Sequence, residues 1–168
     1  MKIKFLGAHN TESQSTKLLS LLVDDILVFD AGGLTSSLSI SSQLKIKAIL
    51  VTHQHYDHIR DIPAIAMNLF LNQQAISIYA TPLVKEVILV HLLNGEIYPK
   101  FQQKPMEKPT ISFHAVEPYQ TTQIESYSVL TVPVAHTRPA VGYQLTSALG
   151  KVFFYTGDTG FDLDLCWR

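Results

Sequence analysis

Residues 53–58 read His-Gln-His-Tyr-Asp-His, directly after the apolar run Ala48-Ile49-Leu50-Val51 and Thr52. Few structural needs account for three imidazoles and a carboxylate crowded at the end of a buried strand. A single such His reads as a solvated loop residue. The cluster reads as a metal site, because imidazole nitrogen and carboxylate oxygen are the usual ligands of zinc and similar divalent ions. His53 and His55 stand two apart, so in an extended segment both side chains project to one side and can grip one ion. Asp57 and His58 are adjacent and are expected to point away from that pair as the chain turns, toward a second ion. Two ions about 3.5–4 Å apart form the usual clamp of hydrolytic chemistry.

Two later strand ends can complete such a site. The run Tyr127-Ser-Val-Leu-Thr-Val-Pro-Val134 leads into Ala135-His136, and Lys151-Val-Phe-Phe-Tyr155 leads into Thr156-Gly157-Asp158. Alone, His136 reads equally well as a surface histidine and Asp158 as a turn residue. Their weight comes from agreement with the first cluster, since binding groups tend to sit on loops held by a rigid sheet.

The order His53-x-His55-x-Asp57-His58, then His136, then Thr156-Gly157-Asp158, resembles the metallo-β-lactamase superfamily of hydrolases. Phe29-Asp30-Ala31-Gly32-Gly33 and the opening Lys2-Ile3-Lys4-Phe5-Leu6-Gly7 extend the likeness over essentially the whole chain. The resemblance implies a fold class: α/β, an αββα sandwich of two packed mixed β-sheets with helices outside. It implies His53, His55 and His136 on one ion, Asp57 and His58 on a second, and Asp158 bridging both. Asp30 then supports the ligand loop rather than binding metal. Asp57 and Asp158 are the candidate catalytic groups, orienting the nucleophile and carrying its proton. Two divalent ions are the implied cofactors; zinc leads, and manganese or iron suits the same donors.

Two departures from the family pattern stand out. The family has a Gly two or three residues after the motif His, where this chain has Arg60 and Asp61; Asp61 before Ile62-Pro63 is a candidate helix cap. The family also has a last His ligand beyond the bridging Asp, and no His follows His136 here. With Trp167 so near Arg168, the expectation is one domain over 1–168, truncated before its last strand and helices. Such a chain would hold its second ion weakly.

The segment His136-Thr-Arg-Pro-Ala-Val-Gly-Tyr143, with Gly142-Tyr143 entering a strand, resembles the phosphodiesterase branches, among them ribonuclease Z and the cyclic-nucleotide phosphodiesterases. The expected reaction is hydrolysis of a small phosphodiester by a hydroxide held between the ions. The alternatives are a thioesterase or lactonase of the same fold, or a metal-binding module without catalysis. Nucleic acid is not favoured as a partner. The net charge is −1, and Lys100, Lys104 and Lys108 of the 96–109 segment are offset by Glu96 and Glu107. A homo-oligomer stays open. With 46% apolar residues, 16% charged residues and one cysteine, the chain suits a buried sheet in a reducing compartment. No membrane span or signal peptide is evident, and the cytoplasm is the expected location.

Periodicity predicts strands over 2–6, 17–23, 26–29, 47–51, 76–79, 111–116, 121–124, 127–134, 141–145 and 151–155. Asp24-Asp25 marks a hairpin turn. Helices are expected over 63–71 and 82–93, opened by prolines, and Leu34 and Leu38 allow a short helix near the Ser-rich stretch 36–42. The three prolines of 96–109 predict a loop or inserted arm. His91 and His114 have bland readings on a helix face and in a strand. His9, Tyr56, Arg138 and Tyr143 are secondary candidates for lining the pocket.

Overall fold

The computed structural model describes residues 1–162 and 164–167. Arg168, on which the truncation expectation turns, lies outside them. By its internal contacts the chain divides into two compact units, 2–115 and 116–168, with Met1 grouped with the second.

The first unit is built on a six-stranded sheet in the order β1 (Ile3–Gly7), β2 (Ser20–Val23), β3 (Leu27–Phe29), β4 (Ala48–Leu50), β5 (Ile76–Ala80), β6 (Ile111–Ala115). The first three strands are antiparallel and the last four run parallel. The hairpin turn falls where expected: Asp24 and Asp25 both have positive φ (45° and 62°), which short polar side chains tolerate. Parallel strands need crossovers. Two short helices, α1 (Leu34–Ser37) and α2 (Ile40–Gln43), connect β3 to β4. Between β4 and β5 come α3 (Tyr56–Ile59) and α4 (Ile62–Leu71), and α5 (Pro82–His91) follows β5. The strand expected over 111–116 is β6, which pairs parallel to β5, Ile76 opposite Ile111, because α5 and the 96–109 segment return the chain to the same end of the sheet.

One face of this sheet contributes Leu22, Val28, Ile49, Ile78 and Ile111 to a core completed by Ile62, Ile65 and Leu69 of α4 and Val84 and Ile88 of α5. The other face, carried by Leu21, Leu27, Phe29 and Leu50, is also buried. Strands buried on both faces read as continuous apolar runs, which is why β3 and β4 lack alternation. The 96–109 segment packs onto the unit: Phe101 is fully buried, its ring centroid 5.6 Å from that of Phe70, and its carbonyl accepts from Ile111 N–H.

The second unit is an antiparallel sheet in the order β10 (Val152–Tyr155), β9 (Ala140–Ser147), β8 (Tyr127–Val134), β7 (Thr121–Ile124). Tyr127, Val129, Val132, Tyr143 and Leu145 are among its buried side chains. A short helix, α6 (Asp164–Trp167), closes the described chain.

Candidate metal centre

In the first unit β3 and β4 run parallel, so Asp30 and the motif leave the sheet at the same end. That is where α/β sheets commonly place ligands. Thr52, His53 and His58 are fully buried there, and so is Asp30, whose φ is +55°. The Asp30 carboxylate accepts from Thr52 N–H (2.8 Å), from the Thr52 hydroxyl (3.0 Å to Oδ2) and from His58 Nδ1 (2.8 Å). A carboxylate can only accept, so the proton of His58 sits on Nδ1 and its Nε2 carries a lone pair. The Thr52 hydroxyl, its one proton spent on Asp30, accepts from His53 Nδ1 at 3.1 Å. The same logic leaves His53 with a lone pair on Nε2. Four buried groups therefore set two imidazoles in the tautomer a metal requires.

The expectation that His58 points away from His53 does not hold. Four residues of α3 curl the chain back, and the His58 ring lies 4.1 Å from that of His53, closer than the 4.5 Å between His53 and His55. Ligand nitrogens of His53 and His55 lie within 4.8 Å of each other, as do those of His53 and His58. His58 Nε2 and Asp57 Oδ2 are 3.7 Å apart. Two donors on one tetrahedral ion at about 2.1 Å stand roughly 3.4 Å apart, so the 3.7 Å between His58 Nε2 and Asp57 Oδ2 fits a shared ion after a small adjustment.

Backbone contacts hold the motif against the Asp30 turn. Ala31 N–H donates to His58 C=O, and Asp61 N–H donates to Ala31 C=O, both at 2.7 Å. Gly32 is required here: a Cβ at that position would lie 1.7 Å from the Asp57 carbonyl oxygen. Asp61 occupies the N-cap position of α4, yet its side chain does not cap that helix. Its Oδ2 accepts from Thr35 N–H (2.7 Å) and the Thr35 hydroxyl (2.8 Å) at the start of α1, and its Oδ1 accepts from Arg60 Nε (2.9 Å). Arg60 also donates through Nη1 to Glu12, 48 residues away, and holds that carboxyl below its ordinary value.

In the second unit β8 and β10 are both antiparallel to β9, so they run parallel to each other and deliver His136 and Asp158 at one end of the sheet. Both line a cavity of about 660 Å³ together with Thr137, Gly157, Gly160 and Phe161. Gly160 N–H bonds the Ala135 carbonyl and joins the two loops. Tyr143 is wholly buried in β9 and serves the core, Arg138 is exposed, and Tyr56 is 63% exposed on α3. His114 stacks on Tyr79 with its Nε2 3.2 Å from Ser77 Oγ, and His91 ends α5. Sequence reasoning missed Thr52, although its place immediately before His53 was a signal. It also missed the Glu12–Arg60 pair, for which no local signal exists.

Two sheets with few helices and a His/Asp set at the strand ends define a metallo-β-lactamase-like α/β fold. The chain belongs to the beta-lactamase superfamily domain family, whose pattern matches residues 28–166. Among curated relatives, ribonuclease Z of Acaryochloris marina is 28% identical over 156 residues, covering 86% of this chain and 47% of that protein. Ribonuclease Z of Pyrococcus furiosus is 31% identical over 152 residues, covering 85% of this chain and 47% of that protein. The chain thus spans about half the length of these relatives. Among solved structures, unliganded yeast PDE1 aligns with a TM-score of 0.75 at 14% identity, over 95% of this chain and 65% of that one. The short form of human tRNase Z aligns at 0.66 and 20%, over 99% and 74%. At those identities the structural likeness concerns the fold alone. No helix among the described residues is long and apolar enough to cross a membrane.

Proposed function

We propose that this chain carries the metal-binding part of a phosphodiester hydrolase. His53, His55 and His136 would hold one divalent ion, and Asp57, His58 and Asp158 would hold a second, with Asp158 shared. The observation that carries the reading is the buried Asp30–Thr52 network, which fixes His53 and His58 with lone pairs on Nε2. A fold needs no such arrangement, and metal ligation does. Bound ions would supply an activated water and offset charge on the phosphoryl oxygens. Asp57 or Asp158 would orient that water and carry its proton. Zinc suits the donors, and manganese and iron remain open to the same set.

The names of the relatives favour a phosphodiester over a thioester or lactone. They also favour RNA as a second reading of the substrate, against the charge balance of the 96–109 segment. The test is metal analysis of the purified protein paired with turnover of bis(p-nitrophenyl) phosphate and of a precursor tRNA. Bound zinc with turnover of the small diester supports the proposal. Cleavage of the RNA alone moves the assignment to a nuclease. Bound metal with neither activity leaves a metal-binding module and overturns hydrolysis.

A further inference from the structure

Arg60 follows Asp57 by three residues, so the two project from one face of the helical turn, with Cβ atoms about 5–6 Å apart. Arg60 is therefore rooted beside a candidate ligand of the second ion, and its guanidinium reaches to Asp61 and Glu12. Its two ends are engaged very differently. On the inner side Nε donates to Asp61, whose side chain is only 6% exposed and is itself held by Thr35. That bond fixes the plane of the guanidinium. On the outer side Nη1 meets Glu12, which lies on the loop joining β1 to β2. Residues 8–15 of that loop are all exposed. The loop is pinned at its base by His9 N–H to Lys17 C=O and at its tip by the Ser13–Thr16 turn. Lys17 stands 3.8 Å from Glu12 and offers it a second cationic partner.

We propose that Arg60 is an anion-binding residue beside the metal centre, and that Glu12 occupies the place a substrate phosphate takes. A carboxylate and a phosphate both present paired oxygens to the guanidinium fork, so one can replace the other without moving the arginine. Asp61 keeps the fork aimed when Glu12 leaves, and Lys17 can retain the displaced carboxylate. The ligand class is a phosphate group, terminal or bridging. The choice of a phosphodiester as its source rests on the function proposed above; the anion site does not.

The test is titration of the metal-free protein with inorganic phosphate, so that coordination to an ion cannot contribute. Glu12 lies on an exposed loop, and Glu12→Gln should fold as the wild type does. Removing a competing exposed ion pair should tighten phosphate binding about two- to fivefold. Arg60→Lys should bind phosphate more weakly than the wild type, since an ammonium cannot hold Asp61 and present a planar fork together. In the Glu12→Gln/Arg60→Lys double variant the gain should disappear. Unchanged or weaker phosphate binding in Glu12→Gln overturns the proposal, as does a gain that persists in the double variant. If phosphodiester turnover is absent while Glu12→Gln still tightens phosphate, the hydrolase reading fails and the anion site stands.

Discussion

Asp30→Asn tests the buried network with almost no change of shape. Asparagine tolerates the positive φ of 55° at this position as well as aspartate does. Its Oδ1 can keep the bond from Thr52 N–H, which leaves its NH2 facing His58 Nδ1, 2.8 Å away in the native protein. Two donors cannot meet there, so His58 must move its proton to Nε2 and lose the lone pair offered to metal. A charge-assisted bond contributes about 1.5–3 kcal/mol and a neutral one about 0.5–1.5. The fold should therefore lose only about 1–2 kcal/mol, or roughly 2–8 °C of melting temperature for a chain of this size. The metal should suffer more, weakening about 10–100-fold as the orienting partner of a ligand is lost. The assay is competition for zinc against a chelator, with the His58 tautomer read by nitrogen NMR in the metal-free protein. Asp30→Ala is the contrast. It strands the buried donors of Thr52 and His58 at about 1–3 kcal/mol each and puts alanine in a left-handed conformation at about 1–2 more. Unchanged zinc affinity and an Nδ1-protonated His58 in Asp30→Asn would refute the reasoning.

Three further perturbations separate scaffold from chemistry. Gly32→Ala drives a methyl into the Asp57 carbonyl and should cost about 1–3 kcal/mol or more while displacing the ligand turn, seen as a lower urea midpoint together with weakened zinc binding. Phe101→Ala empties a fully buried site far along the chain from the motif; about 3–5 kcal/mol should be lost in urea unfolding, with zinc affinity per folded molecule unchanged. Asp158→Ala, on a loop of the second unit, should reduce turnover of bis(p-nitrophenyl) phosphate by at least about a hundredfold. Near-normal turnover would make Asp158 a turn residue.

The sequence by itself determined which side chains are candidates for metal chemistry and where along the chain they stand. His53, His55, Asp57 and His58 follow an apolar run, and His136 and Asp158 follow two more. A strand's hydrophobic pattern and the residues that end it are local properties. The Asp24-Asp25 turn, the proline-opened helices and the strand positions were legible for the same reason, although the strand expected over 17–23 begins only at Ser20 and the one expected over 141–145 runs from Ala140 to Ser147. Tertiary structure alone decided the rest. It brought Asp30 to His58 across 28 residues and Glu12 to Arg60 across 48. It turned Asp61 from a cap of its own helix into a partner of Thr35, and folded His58 back beside His53. It also joined β6 parallel to β5. These outcomes depend on which backbone lies against which once the core closes. Gly32 shows the reason most plainly: a Gly-Gly pair in the sequence signals only a turn, and the need for a missing Cβ appears only when the Asp57 carbonyl packs over it.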